Sequence, residues 1–148
     1  MNKITFFIAA GLFCCTAFGS MAQKTKVIAH RGAWKNTTQT ENSIGALKEA
    51  IKLKCFGSEF DVHMSSDEVL FVHHDHTING IDIEKTTAAE LSKIKLPNGE
   101  FLPTVEQYLI EGKKQNKTRL IFEIKTSNVS ISRTYLMIDL IKDYLEDK

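Results

Sequence analysis

Short β-rich runs and stretches of helical apolar spacing take turns along this chain, and that order constrains its fold more tightly than any other feature of the sequence. Residues 26–29 form a brief apolar strand candidate, and Ile44, Leu47, Ala50 and Ile51 then recur at helical spacing over residues 42–54. A second strand pattern covers residues 56–62, and after the turn signal Ser65-Ser66-Asp67 a third β-rich run occupies residues 69–72. Thr87 and Glu90 have the spacing of a capping box that opens a short helix to Lys93. Pro97-Asn98-Gly99 marks a turn, and Thr104 with Gln107 repeats the box before a helix that ends near Gly112. Residues 120–124 read as the next strand, and Leu136, Leu140, Ile141, Tyr144 and Leu145 line one face of a final helix. Strands separated by helices call for a parallel sheet with crossover helices on its face, so the fold class is α/β. Pattern alone leaves an open sheet and a closed barrel equally allowed. There is no internal repeat, no low-complexity tract and no linker signal, which points to one domain.

The first residues stand outside that alternation. Lys3 is followed by an apolar run over residues 4–18 and then by Gly19-Ser20-Met21-Ala22. Such a run is shorter than the roughly 20 residues of a spanning helix, and small residues at Ser20 and Ala22 suit cleavage before Gln23. The expectation is a signal peptide over residues 1–22 and a folded domain over residues 23–148. An uncleaved anchor and lipid attachment at Cys14 or Cys15 are the alternatives, the second disfavoured because Leu12-Phe13 lacks the small residue expected before a lipidated cysteine. Export would place the protein in a periplasmic or extracellular compartment with no membrane span after cleavage. Cys55 would then be the single remaining cysteine, a small core residue, and no intrachain disulfide could form. Lys+Arg 19 against Asp+Glu 18 is too balanced for the broad positive field of a nucleic-acid binder, so no nucleic-acid partner is expected. Lys113, Lys114 and Lys117 follow a helix end, where cations suit the helix dipole and solvent.

Chemistry concentrates at the strand ends. Glu59 and Asp61 are two apart in a strand, so both carboxylates project from one face. Glu123 ends another strand, with Lys125 facing the same way two residues later. In a parallel sheet all C-terminal strand ends meet at one rim, where α/β proteins place their sites. Three carboxylates gathered there repel one another and lose solvation, and a hard divalent cation relieves both costs; a merely solvated strand end is the bland reading. His30-Arg31-Gly32 follows the first strand and reaches the same rim with an imidazole, a guanidinium fork suited to phosphate, and a glycine that permits close backbone approach. His73-His74-Asp75-His76 closes the third β-rich run, and a zinc site there lacks both cysteine partners and helical histidine spacing.

Taken in order, His30-Arg31-Gly32, Glu41-Asn42-Ser43, Glu59-Phe60-Asp61-Val62, His74-Asp75, Pro103-Thr104-Val105-Glu106 and Glu123-Ile124-Lys125 resemble the glycerophosphodiester phosphodiesterase family over residues 27–125. The resemblance implies a TIM-type (β/α) barrel and metal-dependent hydrolysis of a small glycerophosphodiester to an alcohol and glycerol phosphate. It implies Glu59, Asp61 and Glu123 as ligands of Mg²⁺ or Ca²⁺, His30 and His74 as the acid–base pair, and Arg31 and Lys125 as phosphate-holding residues. Thr40 stands where the family usually has proline, and His63, His73 and His76 match no family role.

A complete barrel of this kind takes about 250 residues, whereas this chain has 148. The expectation is therefore a barrel truncated to about half, whose open edges invite self-association. Two further expectations stand beside the phosphodiesterase: a silent fragment that binds only a cation or an anionic ligand, and a related barrel that cleaves phospholipid head groups.

Overall fold

The computed structural model describes residues 25–146, and the signal segment expected over residues 1–22 lies outside them. β1 (Ile28–Ala29) leads into α1 (Ile44–Lys52), then β2 (Gly57–Met64). β3 (Leu70–Val72), β4 (Thr77–Ile78), β5 (Ile81–Asp82), a 3₁₀ turn at Ile83–Lys85 and the short α2 (Ala88–Leu91) follow. α3 (Val105–Gly112), β6 (Arg119–Ile124) and α4 (Ile131–Glu146) complete the order.

The helices begin where their capping chemistry places them. Ser43 accepts the Ala46 N–H at 3.0 Å, which starts α1 two residues later than apolar periodicity alone indicates. At α3 the box is reciprocal: Thr104 Oγ1 accepts from the Gln107 N–H, and Gln107 Oε1 accepts from the Thr104 N–H. At α2 Glu90 reaches back to accept from both the Thr87 N–H and its hydroxyl.

β2 is the centre of the sheet. It pairs in parallel with β1 (Ile28↔Gly57, Ala29↔Ser58) on one edge and with β6 (Gly57↔Arg119 through Val62↔Ile124) on the other. β3 corrects the simple alternation: it pairs antiparallel with the end of β2, Val62↔Val72 and Met64↔Leu70, beyond β1 on the same edge. The reason is the length of the connection. A parallel return needs a crossover of a dozen or more residues, whereas residues 65–69 form a tight turn in which the Ser65 N–H donates to the Val69 carbonyl and the Val69 N–H donates to Ser65 Oγ, both at 2.9 Å. Residues 65–104 are thus an excursion from β2 with its own apolar centre, Phe71, Ile78, Ile83, Leu91, Leu96 and Leu102.

All eight residues of β2 are buried. Phe60, Val62 and Met64 face the main core with Leu47, Tyr108, Met137 and Ile141 from the helices. The Phe60 ring sits 4.4 Å from Tyr108 and 4.5 Å from Phe122, centroid to centroid. Strand alternation then turns Glu59, Asp61 and His63 to the opposite face.

Candidate active site

The parallel register of β2 and β6 sets Asp61 beside Glu123, and Glu59 lies two residues earlier on the same face of β2. One oxygen from each of these three carboxylates lies within 4.8 Å of the other two. Glu59 and Asp61 are buried, at 9% and 0% exposure. The Glu123 side chain is half open to solvent, and Lys125, on the same strand face, pairs with it and places Nζ 2.8 Å from Asp61 Oδ1.

Asp61 is held from several sides. Asn42 Nδ2 donates to Asp61 Oδ2 at 2.8 Å, and the Asp61 N–H donates to Asn42 Oδ1 at 3.2 Å, so one amide grips both the side chain and the backbone. Arg31 Nε lies 3.5 Å from Asp61 Oδ2. Burial pushes the Asp61 carboxyl up, but the hydrogen bonds from Asn42 and Lys125 outweigh it and leave the group below its ordinary value. Lys125 shows the same contest: burial disfavours its charge, and the Asp61 and Glu123 carboxylates win and raise its pKa.

Glu59 differs. Burial raises its pKa, the N–H of Arg31 (2.8 Å to Oε2) offsets part of that, and the charge of Asp61 adds to the rise. Its second oxygen, Oε1, is buried and has no hydrogen-bond partner. A buried acceptor without a donor, in a set of oxygen-only groups, fits a hard divalent cation. The charge count agrees: Glu41, Glu59, Asp61 and Glu123 against Arg31 and Lys125 leave two negative charges.

Of the two histidines assigned to acid–base work, His30 stands beside Glu59, and His74 lies on the loop after β3 with Asp75 as its ion-pair partner. His30 follows β1, and its Nε2 is 3.9 Å from Glu59 Oε2. The turn that carries it closes at Gly32, whose φ of +78° suits glycine and where a Cβ would stand 2.6 Å from the Ala46 Cβ of α1. His74 follows β3, close enough for its charge to act on Asp61. Its Nδ1 is 2.6 Å from Asp75 Oδ1, a hydrogen bond that lowers the Asp75 pKa and, with Nδ1 as donor, leaves Nε2 as the free ring nitrogen. The other histidines do not form a metal set among the described residues. His63 Nε2 meets the His74 carbonyl at 3.1 Å, His73 Nε2 meets the Thr77 carbonyl at 3.3 Å, and the His76 ring lies edge-on to His63. Burial lowers the pKa of both His63 and His73.

Arg31 occupies the rim as its position after β1 implies, with a second engagement that the sequence does not announce: Nη1 pairs with both oxygens of Glu41 at 3.1 to 3.2 Å. Asn42 and Asp75 are further parts of the site whose work is invisible in sequence. Both sit in recognisable motifs, yet the Asn42 partner is 19 residues away, and the signal that could have found it is an asparagine just before a helix cap, where a left-handed φ of 60° is tolerated. Beside the site a cleft of about 290 Å³ opens between Thr40, Glu41, His73, Asp75 and Lys95. No helix among the described residues is long and apolar enough to cross a membrane.

Comparison with known proteins identifies the family and the fold. Residues 30–147 match the glycerophosphoryl diester phosphodiesterase family. The glycerophosphodiester phosphodiesterase of Caldanaerobacter subterraneus subsp. tengcongensis is 36% identical over 124 residues, which cover 82% of this chain and 43% of that protein. The crystal structure of a glycerophosphodiester phosphodiesterase from Parabacteroides distasonis superposes with a TM-score of 0.79 at 44% identity, covering 82% of this chain and 51% of that one. The Thermotoga maritima glycerophosphodiester phosphodiesterase shares the fold, with a TM-score of 0.66 at 21% identity over 85% of this chain and 52% of its own. The chain spans about half the length of these relatives, and β1, β2 and β6 with their helices form about half of a TIM-type (β/α) barrel. By the extent of the family match and the identity to a curated relative, this chain belongs to the glycerophosphoryl diester phosphodiesterase family.

Proposed function

We propose that the rim of β1, β2 and β6 is the catalytic half of a metal-dependent glycerophosphodiester phosphodiesterase that yields an alcohol and glycerol phosphate. One observation carries the reading: three carboxylates from two strands bring an oxygen each within 4.8 Å of one another, Glu59 keeps a buried oxygen without a partner, and His30 Nε2 stands 3.9 Å from Glu59. Glu59, Asp61 and Glu123 would hold Mg²⁺ or Ca²⁺, which when bound supplies positive charge to the phosphoryl oxygens.

The rest of the chemistry belongs to the chain's own side chains. A phosphodiester monoanion repels an incoming nucleophile and has a poor alkoxide leaving group. Arg31 and Lys125 hold the phosphate and neutralise it. One of His30 and His74, neutral, takes a proton from water or from a neighbouring substrate hydroxyl. The other, protonated, gives one to the departing oxygen. These opposed protonation states give a bell-shaped dependence of rate on pH. Asp75 on Nδ1 orients the His74 ring so that Nε2 does the work. We place this activity outside the cytoplasm, on the strength of the apolar run and small residues that end at Ala22.

The test is turnover of a glycerophosphodiester by the full chain. His30→Ala and His74→Ala each cut turnover by at least about 100-fold while the circular dichroism spectrum stays native. Chelator abolishes activity and added Mg²⁺ or Ca²⁺ restores it. Wild-type rates in both variants, or indifference to EDTA, refute the assignment. A second reading is a protein that binds the cation without turnover; calorimetry and the assay on one preparation separate the two.

A further inference from the structure

His63 is the one histidine of this region that is fully buried, at 1% exposure, and the mechanism above does not use it. It is the third residue in the row Glu59, Asp61, His63 on one face of β2. Its Nε2 is 3.1 Å from the carbonyl oxygen of His74, eleven residues away in sequence. A carbonyl only accepts, so Nε2 carries the proton and the ring is the Nε2–H tautomer.

The His74 ring has a weak anchor of its own. Its hydrogen-bond partner is Asp75, a neighbour on the same loop whose side chain is 71% exposed, so the pair moves together. Two hydrogen bonds tie the loop to the strand of carboxylates among the described residues, His73 N–H to the Asp61 carbonyl at 3.1 Å and the His63 imidazole to the His74 carbonyl. Only the second grips the peptide of His74 itself. The His76 ring, packed edge-on at 4.8 Å between centroids, closes the loop over His63.

We propose that His63 is a positioning residue: by donating Nε2–H to the His74 carbonyl it fixes the acid–base imidazole at a set distance from Glu59 and Asp61. This rests on the phosphodiesterase reading for its effect on rate, and on the fold alone for its effect on the loop. β2 thereby sets two of the three carboxylates and one of the two proton-transfer groups, and misplacement of a reacting group by about 1 Å can cost as much as 100-fold in rate.

Two variants test it in the full chain. His63→Phe keeps a flat ring and loses the donor, while His63→Gln keeps an amide donor at a similar reach. Long-range ¹⁵N–¹H spectra should show His63 as the Nε2–H tautomer, and amide exchange over residues 73–77 should quicken in His63→Phe and return toward wild type in His63→Gln. With glycerophosphocholine as substrate, His63→Phe should lose roughly 10- to 100-fold in kcat with KM and Mg²⁺ affinity little changed, and His63→Gln should recover most of it. An Nδ1–H tautomer, unchanged exchange in His63→Phe, or equal failure of the Phe and Gln variants overturns the proposal. If the wild-type chain does not hydrolyse the substrate, the phosphodiesterase reading falls, and the tautomer and exchange data still decide the role of His63 in holding the loop.

Discussion

β2 and β6 run side by side in parallel register and match in residue type at two adjacent positions, one on each side, yet they live in different environments. Phe60 stands beside Phe122 on the helix side, and Asp61 beside Glu123 on the site side. β2 is paired on both edges and buried at every position. β6 is paired to β2 among the described residues, and Arg119 and Glu123 on it are exposed. The lesson is that burial and the number of partners, not residue type, decide how firmly a site carboxylate is held. Asp61 is gripped by Asn42, Arg31 and Lys125 at full burial, while among the described residues Glu123 pairs with Lys125 and has half its side chain in solvent.

The comparison breaks or sharpens at matched positions. The largest contrast is on the helix side. Phe60→Ala removes a ring packed between Tyr108 and Phe122 and should cost about 3–5 kcal/mol in urea unfolding, whereas Phe122→Ala, only partly buried, should cost about half as much. Equal losses would mean that β6 is as firmly packed as β2. On the site side, Asp61→Asn strips a buried charge from its partners and should cost about 3 kcal/mol, against less than about 1 kcal/mol for Glu123→Gln. A costly Glu123→Gln would place that residue in a tighter network than its exposure implies.

The smallest effect separates two carboxylates on one strand. Asp61 has a lowered pKa, so its contribution is present above the ordinary carboxylate value and is lost as pH falls through its folded pKa, below 3.8. Glu59 has a raised pKa, so its contribution is full below 4.5 and is lost as pH rises through the raised value. Glu59→Gln should therefore help the metal-free protein more at pH 7 than at pH 4.5, whereas Asp61→Asn should cost nearly the same at those two values and lose its cost only below 3.8. Unfolding midpoints of both variants at pH 7, at pH 4.5 and at about pH 3 check the signs. A residue that weakens the free protein while its oxygen lacks a donor is what a cation ligand looks like before its ion arrives.

Much of this was legible from residue order. Alternating strand and helix signals gave the parallel strands β1, β2 and β6, and the period of two in Glu59-Phe60-Asp61 gave the shared face. Both capping boxes stand where Thr87 and Thr104 imply. The direction of β3 was not legible, because an apolar run such as Val69-Leu70-Phe71-Val72 looks the same in either sense and only the short turn before it decides. Asn42 and His63 were hidden for a different reason. Each acts through hydrogen bonds to a residue eleven or more positions away, two for Asn42 and one for His63, and such bonds leave no periodicity in the chain. Glu41 was legible as part of a motif, but not as the clamp on Arg31.

Calorimetric titration of Mg²⁺ and then Ca²⁺ into the full chain goes most directly to the ion that Glu59, Asp61 and Glu123 are arranged to share. The expected result is one site per chain, with a melting temperature that climbs with metal concentration, and loss of both in Asp61→Asn and Glu59→Gln. A wild-type chain that gives neither heat nor a thermal shift, or variants that bind as well as it does, would contradict the account.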